Sequence, residues 1–257
     1  MNNLFDLQRF TLLVRKHWVE QGRIYLFSWL TLAGILACFF LMNYNNLSEN
    51  FQEMLLIMSL LLSISVFSSM MFADLADKTR GILYLTIPVS HLEKLLCSLF
   101  YSIVFFIPVF FATFFLIDFI FIGIYNSTKI SGQMYVINLL ERQNTIKILP
   151  VVFFNIQALF TLGSIYFGKN AYIKTAGFLF ITAIILLYTN FSILDKFIDH
   201  RDNIVGRSIG YTITMKDFGY NETLLKNFLK LIRFCITYVT APFFWLVTFF
   251  RIKEKQI

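Results

Sequence analysis

Charge is what this sequence has least of. Asp, Glu, Lys and Arg make up 14% of its 257 residues, where a soluble globular domain carries roughly 25%. That scarcity excludes an ordinary water-soluble fold. Cysteine is scarce too: Cys38, Cys97 and Cys235 form an odd set, each inside an apolar segment, which reads as small buried hydrophobes and not as a disulfide framework or metal site. His17, His91 and His200 stand far apart. The chain has no His-Glu-x-x-His pair and no Gly-x-Ser-x-Gly elbow, so the common metalloprotease and serine-hydrolase arrangements are excluded. An intramembrane hydrolase would need paired ionisable groups at membrane depth, and few exist.

Hydrophobic residues are what the chain has instead, at 58%, with a mean hydropathy of +0.69. Apolar runs of about 20 residues recur, each long enough to cross a hydrocarbon core of about 30 Å as a helix. A β-barrel would need short alternating segments, whereas runs such as SLLLSISVFSSMMFA are continuous. The expected fold is all-α: one transmembrane domain, 1–257, with six spans at about 24–42, 54–73, 91–122, 148–167, 175–194 and 229–250. The net charge of +7 then reflects basic residues retained on the cytoplasmic side, not affinity for nucleic acid.

Residues 3–21 have an apolar face built by Leu4, Leu7, Phe10, Val14 and Trp18. Arg9, Lys16 and Arg23 repeat at heptad spacing on the other side. This pattern predicts an amphipathic helix lying in the membrane interface against lipid headgroups; the alternative is a juxtamembrane segment with accidental periodicity. Lys and Arg concentrate in the leader, in 74–94, around Lys169 and Lys174, and in the C-terminal tail. The two shorter opposite loops hold only Lys129, Arg142 and Lys147. Both termini are therefore expected inside.

The polar island 74–90 is expected to be a short cytoplasmic loop. Gly81 suggests a tight turn there and Pro88 a stiff exit. Ser90 and Glu93 form a Ser-x-x-Glu capping box, which starts the third span at His91. Pro108 is expected to kink that span, and Pro150 to sit in the first turn of the fourth. Asp118 near the outer end of the third span is read as a wet interfacial carboxylate or, alternatively, a functional group. Asn155 and Gln157 either line a translocation path or bond neighbouring helices. Gly163–Asn170, GSIYFGKN, approaches a phosphate loop but follows an apolar helix and lacks the Ser or Thr that would hold magnesium. Gly163 is read as a helix-packing glycine, and no bound cofactor is expected. The polar stretch 195–226 is expected to be an outer loop.

The segment FADLADKTRGILYLTIPVSHLEKLLCSLF resembles the permease subunits of ABC-2-type exporters. These place a basic-Gly turn, a hydrophobic patch, a proline and Ser-x-x-Glu-Lys between the second and third spans. In this sequence the phrase is carried by Lys78, Arg80, Gly81, Leu85, Pro88, Ser90, Glu93 and Lys94. The resemblance implies a multi-pass permease of a bacterial inner membrane with no ATPase of its own. It implies pairing as a homodimer or heterodimer and docking of a separate ABC ATP-binding subunit under the loop 74–90. A non-transporting sensor or assembly subunit is the competing expectation, with 195–226 as its working part.

Overall fold

The computed structural model of the protein describes residues 5–44, 47–76, 78–128, 134–197, 230–231 and 234–255. The fold is all-helical, with no strand among the described residues. Among the described residues, six helices are long and apolar enough to cross a membrane: α1 Leu7–Met42, α2 Glu49–Met70, α4 His91–Thr128, α5 Gln143–Phe167, α6 Ala171–Phe197 and α7 Cys235–Glu254. A short seventh, α3 Lys78–Thr86, joins α2 to α4 after the 3₁₀ turn Ala73–Ala76. This architecture is compatible with a multi-pass membrane protein.

The helices differ from the expected spans mainly at their ends. No break separates a leader from the first span: α1 is one helix of 36 residues, about 54 Å long at 1.5 Å per residue. Asp6 caps it by accepting from the Gln8 N–H at 2.9 Å. α5 begins five residues earlier than expected, so Pro150 is its eighth residue and not part of the first turn. α6 continues to Phe197, and most of the stretch 195–226 lies outside the described residues. The three cysteines are all free, and of them only Cys97 is fully buried, Cys38 being exposed.

α1 and α4 run parallel along their whole length. The Asp6 N–H donates to Glu93 Oε1 at 2.7 Å, Tyr101 Oη donates to the Val14 carbonyl at 2.7 Å, and Trp29 Nε1 donates to Thr113 Oγ1 at 2.6 Å. At the far end Tyr44 bonds Thr128. Each contact joins positions 84 to 87 residues apart, the nearly constant offset that parallel helices require.

Two apolar clusters fill the bundle. One packs Phe40, Leu56, Ile64, Phe110, Phe114 and Phe153 between α1, α2, α4 and α5. The other, toward Glu93, packs Leu13, Phe72, Leu95, Tyr101, Ile165 and Ile252. α5 and α6 approach closely where Gly163 faces Thr175, and they are joined by a turn with positive φ at Gly168 and Asn170. Gly163–Phe167 is helical, so GSIYFGKN forms a helix end and not a phosphate loop.

At the end of the bundle opposite Glu93, Arg142 reaches Glu53 at 3.3 Å, Glu49 at 3.4 Å and Asn50 Oδ1 at 3.0 Å. This clasp ties the start of α5 to α2. Because Arg142 is about one-third exposed and Glu49 more so, its worth is that of a surface network, about 1 kcal/mol. Arg142→Ala combined with Glu53→Gln in a double-mutant cycle should show a coupling near 1 kcal/mol at low salt. The coupling should shrink by half or more in 1 M salt; salt-independent coupling would contradict an exposed clasp.

Candidate functional site

The segment between α2 and α4 is helical where a turn was expected. Gly81 sits inside α3, is buried, and has no left-handed φ. The tight turn expected at Gly81 is therefore replaced by a helical turn, and the chain reverses instead through Ala73–Ala76 and Ile87–Val89. Pro88 lies in that second reversal. Lys78, Arg80 and Leu85 belong to α3 by backbone, but their side chains fall outside the described part of the structure. α3 exposes Ile82 and Leu83, at 63% and 65% of their surface. Sequence reading missed this pair, because an apolar dipeptide beside Leu85 gives no sign of which residues face outward.

The capping box forms as its spacing requires. The Glu93 N–H donates to Ser90 Oγ at 3.2 Å, and the Ser90 N–H donates to Glu93 Oε2 at 2.8 Å. Glu93 does more than cap. Its Oε1 accepts from the Asp6 N–H at 2.7 Å and from the Arg9 guanidinium at 3.3 Å. The carboxylate is fully buried, while Arg9 is 38% exposed. One side chain therefore closes the first turn of α4, satisfies the start of α1, and bears the charge that holds Arg9. A buried carboxylate is tolerable when its lone pairs are filled and a cation stands beside it. Lys94, also buried, places its ammonium 5.3 Å from the centre of the Tyr84 ring of α3, a cation–π distance. Glu93 and Lys94 thus tie α1, α3 and α4 into one junction.

Deeper in the bundle, α4 and α7 each contain a π-helical segment, Phe100–Phe105 and Cys235–Val239. Each ends three residues before a proline, Pro108 and Pro242. The ring removes the N–H that would bond the carbonyl four residues back, which is Val104 or Tyr238, and the preceding turn widens. Pro108, where a kink is expected, thus has a widened turn upstream of it.

α5 stitches both wide turns. Gln157, fully buried, donates to Ser102 Oγ at 2.9 Å and Thr161 Oγ1 at 3.0 Å, and accepts from Trp245 Nε1 at 2.8 Å. Asn155 donates to the Ile236 carbonyl at 3.1 Å and accepts from Thr240. Of the two readings of these amides, interhelical bonding is the one the geometry displays.

Asp118 is not wet. It is fully buried; its Oδ2 accepts weakly from the Ile137 N–H at 3.4 Å, while Oδ1 has no partner. The expectation of an interfacial carboxylate fails because residues 134–138 fold back over it. Gln52 stands in a similar position, with Nε2 directed at the Tyr135 carbonyl and Oε1 unpartnered. Asp118 is thus distant in sequence and partners from the amides of α5, and the three expected path residues do not meet in one hydrogen-bonded network.

Compared with family models, with curated proteins and with solved structures, the chain matches none.

Proposed function

We propose that the protein is the transmembrane permease subunit of an ATP-binding cassette exporter of a bacterial inner membrane, with both termini cytoplasmic. It works as a homodimer or heterodimer, and a separate ABC ATP-binding subunit docks on α3. The observation that carries this reading is the exposed Ile82–Leu83 pair on a short helix locked to the bundle. An exposed apolar pair flanked in sequence by Lys78 and Arg80 offers a partner both a hydrophobic anchor and complementary charge. The buried Glu93 and Lys94 behind it supply rigidity, so force applied to α3 passes into α1 and α4. The π segments of α4 and α7 give those helices a place to yield. In this reading ATP is hydrolysed by the partner subunit, and GSIYFGKN, a helix end, serves the packing of α5 on α6.

Affinity purification from the native host under mild detergent tests the docking. The wild-type chain should bring down an ABC ATPase. Lys78→Glu/Arg80→Glu and, separately, Ile82→Asp/Leu83→Asp should each reduce its recovery at least tenfold while the variants keep wild-type melting. An ATPase retained by both variants would move docking elsewhere. Recovery of no ATPase by the wild type would overturn the transporter reading.

A further inference from the structure

At the end of the bundle opposite Glu93, two side chains reach the segment 134–138 and each keeps one oxygen to spare. Gln52 of α2 and Asp118 of α4 are both fully buried, yet Gln52 Oε1 and Asp118 Oδ1 have no partner. We propose that these two oxygens hold one alkali cation beneath the segment 134–138.

The segment orients both side chains. The Tyr135 carbonyl can only accept, so it faces Gln52 Nε2, at 3.4 Å, and Oε1 is left over. The Ile137 N–H can only donate, so it faces Asp118 Oδ2, at 3.4 Å, and Oδ1 is left over. Residues 134–138 contain no turn or bend, and in extended backbone the carbonyl of one residue and the N–H of the next but one share an edge. They lie closer than the two-residue repeat of roughly 7 Å. Amide and carboxylate therefore converge on one short stretch of backbone. Sodium has nearly the radius of calcium, which sits about 2.3–2.6 Å from each oxygen ligand, so it bridges two oxygens roughly 5 Å apart.

What the two oxygens lack is a positive charge. An ionised carboxylate is costly to bury without a cation. The charged groups on the neighbouring described elements are Glu49 and Glu53 of α2, Glu141, Arg142 and Lys147 of α5. Arg142 is committed to Glu49 and Glu53 at 3.4 and 3.3 Å, and Lys147 is exposed. Carboxylate and amide oxygens are hard ligands, suited to alkali and alkaline-earth ions and not to softer metals. A single carboxylate balances a single charge, so a divalent ion leaves a net charge buried and a monovalent ion leaves none. A bridging water satisfies both oxygens but leaves the carboxylate uncompensated.

The cover is pinned on both sides. The Met134 N–H donates to Asn126 Oδ1 and Asn126 Nδ2 donates to the Met134 carbonyl, both at 2.9 Å. Beyond Asn138, the Arg142 clasp ties the chain to α2. Ile137 is buried in the apolar cluster between them. Shielding from water strengthens the attraction of a carboxylate for an ion.

The test uses the full-length protein in detergent free of alkali ions, with choline chloride keeping ionic strength constant so that exposed ion pairs are equally screened. Replacing choline by about 100 mM sodium or potassium should raise the melting point by about 3–5 °C, the shift expected at roughly ten times the dissociation constant for a chain of this length. Whichever ion acts is the occupant. Asp118→Asn, nearly equal in shape, should abolish the rise and melt no lower than wild type in choline, because it removes the uncompensated charge. Gln52→Glu adds a second carboxylate and should transfer the response from the alkali ion to calcium. Equal melting of the wild type in choline, sodium and potassium would overturn the proposal; an infrared band of a protonated carboxyl that Asp118→Asn removes would then assign the oxygens to a proton. An alkali response that survives in Asp118→Asn would overturn it too. Should Asp118→Asn fail to fold, an alkali response unchanged in Gln52→Glu overturns it equally.

Discussion

Glu93→Ala should lower the stability of the protein by about 2–4 kcal/mol, a value composed of losses at both ends of one carboxylate. The capping box loses one half, worth about 1 kcal/mol. The Asp6 N–H, bonded to Oε1 at 2.7 Å, loses its acceptor at the start of α1, and a part-buried donor left unmade costs about 1–3 kcal/mol. Arg9 adds less, since its exposed part regains water. For a chain of this length the loss corresponds to a melting point lower by roughly 5–10 °C, read by thermal unfolding in detergent.

Three variants separate these contributions. Ser90→Ala removes only the Oγ acceptor and should cost about 1 kcal/mol. Glu93→Gln keeps an acceptor for one N–H but loses the charge facing Arg9, and should fall between Ser90→Ala and Glu93→Ala. Arg9→Ala leaves the buried carboxylate without its cation and should exceed Ser90→Ala. If Glu93→Ala melted within 1 °C of wild type, the junction would not be what holds α1 to α4. In the proposed transporter, Glu93→Ala should still recover the ATPase, because Glu93 faces α1 and not the exposed Ile82–Leu83 pair, and the coupling of hydrolysis to transport should fall.

Much of this architecture is legible in the residues, and the failures have physical causes. The six apolar helices are readable because long hydrocarbon runs have few alternatives. The Ser90–Glu93 box is readable because it needs only three-residue spacing. The second partner of Glu93 is not: Asp6 lies 87 residues away, and no local pattern announces a tertiary acceptor. The leader was expected to part from the first span, but nothing in Gln21-Gly22-Arg23 ends a helix. A glycine inside one costs only about 1 kcal/mol, which packing onto α4 offsets. Gly81 is helical for the same reason. Asp118 was placed in water from its position near a helix end, and only the return of residues 134–138 buries it. Asn155 and Gln157 were ambiguous because an amide is equally suited to a pore wall or a helix contact until its partners are known.

Gly163 carries the other large effect. A Cβ built there meets Thr175 Oγ1 at 2.0 Å, Cγ2 at 2.7 Å and Cβ at 2.9 Å. Thr175 is buried, its hydroxyl is bonded to the Ala171 carbonyl at 2.7 Å, and its branched side chain has few rotamers to escape into. The helices themselves must separate. Overpacking of this kind costs about 1–3 kcal/mol, and contact with three atoms of a stiff side chain places Gly163→Ala at the top of that range. About 1 kcal/mol returns through the better helix propensity of alanine, leaving a net loss near 2 kcal/mol. Gly163→Leu, with three more carbons and nowhere to place them, should yield little folded protein. The decisive variant exchanges the space: Gly163→Ala with Thr175→Gly removes the three atoms nearest the new Cβ, and leaves no other side chain deprived of a partner because the Thr175 hydroxyl bonds only its own helix. Its melting point should exceed that expected from adding the single variants by the equivalent of about 2 kcal/mol. Strict additivity, or a Gly163→Ala variant as stable as wild type, would mean that α5 and α6 do not meet at this position.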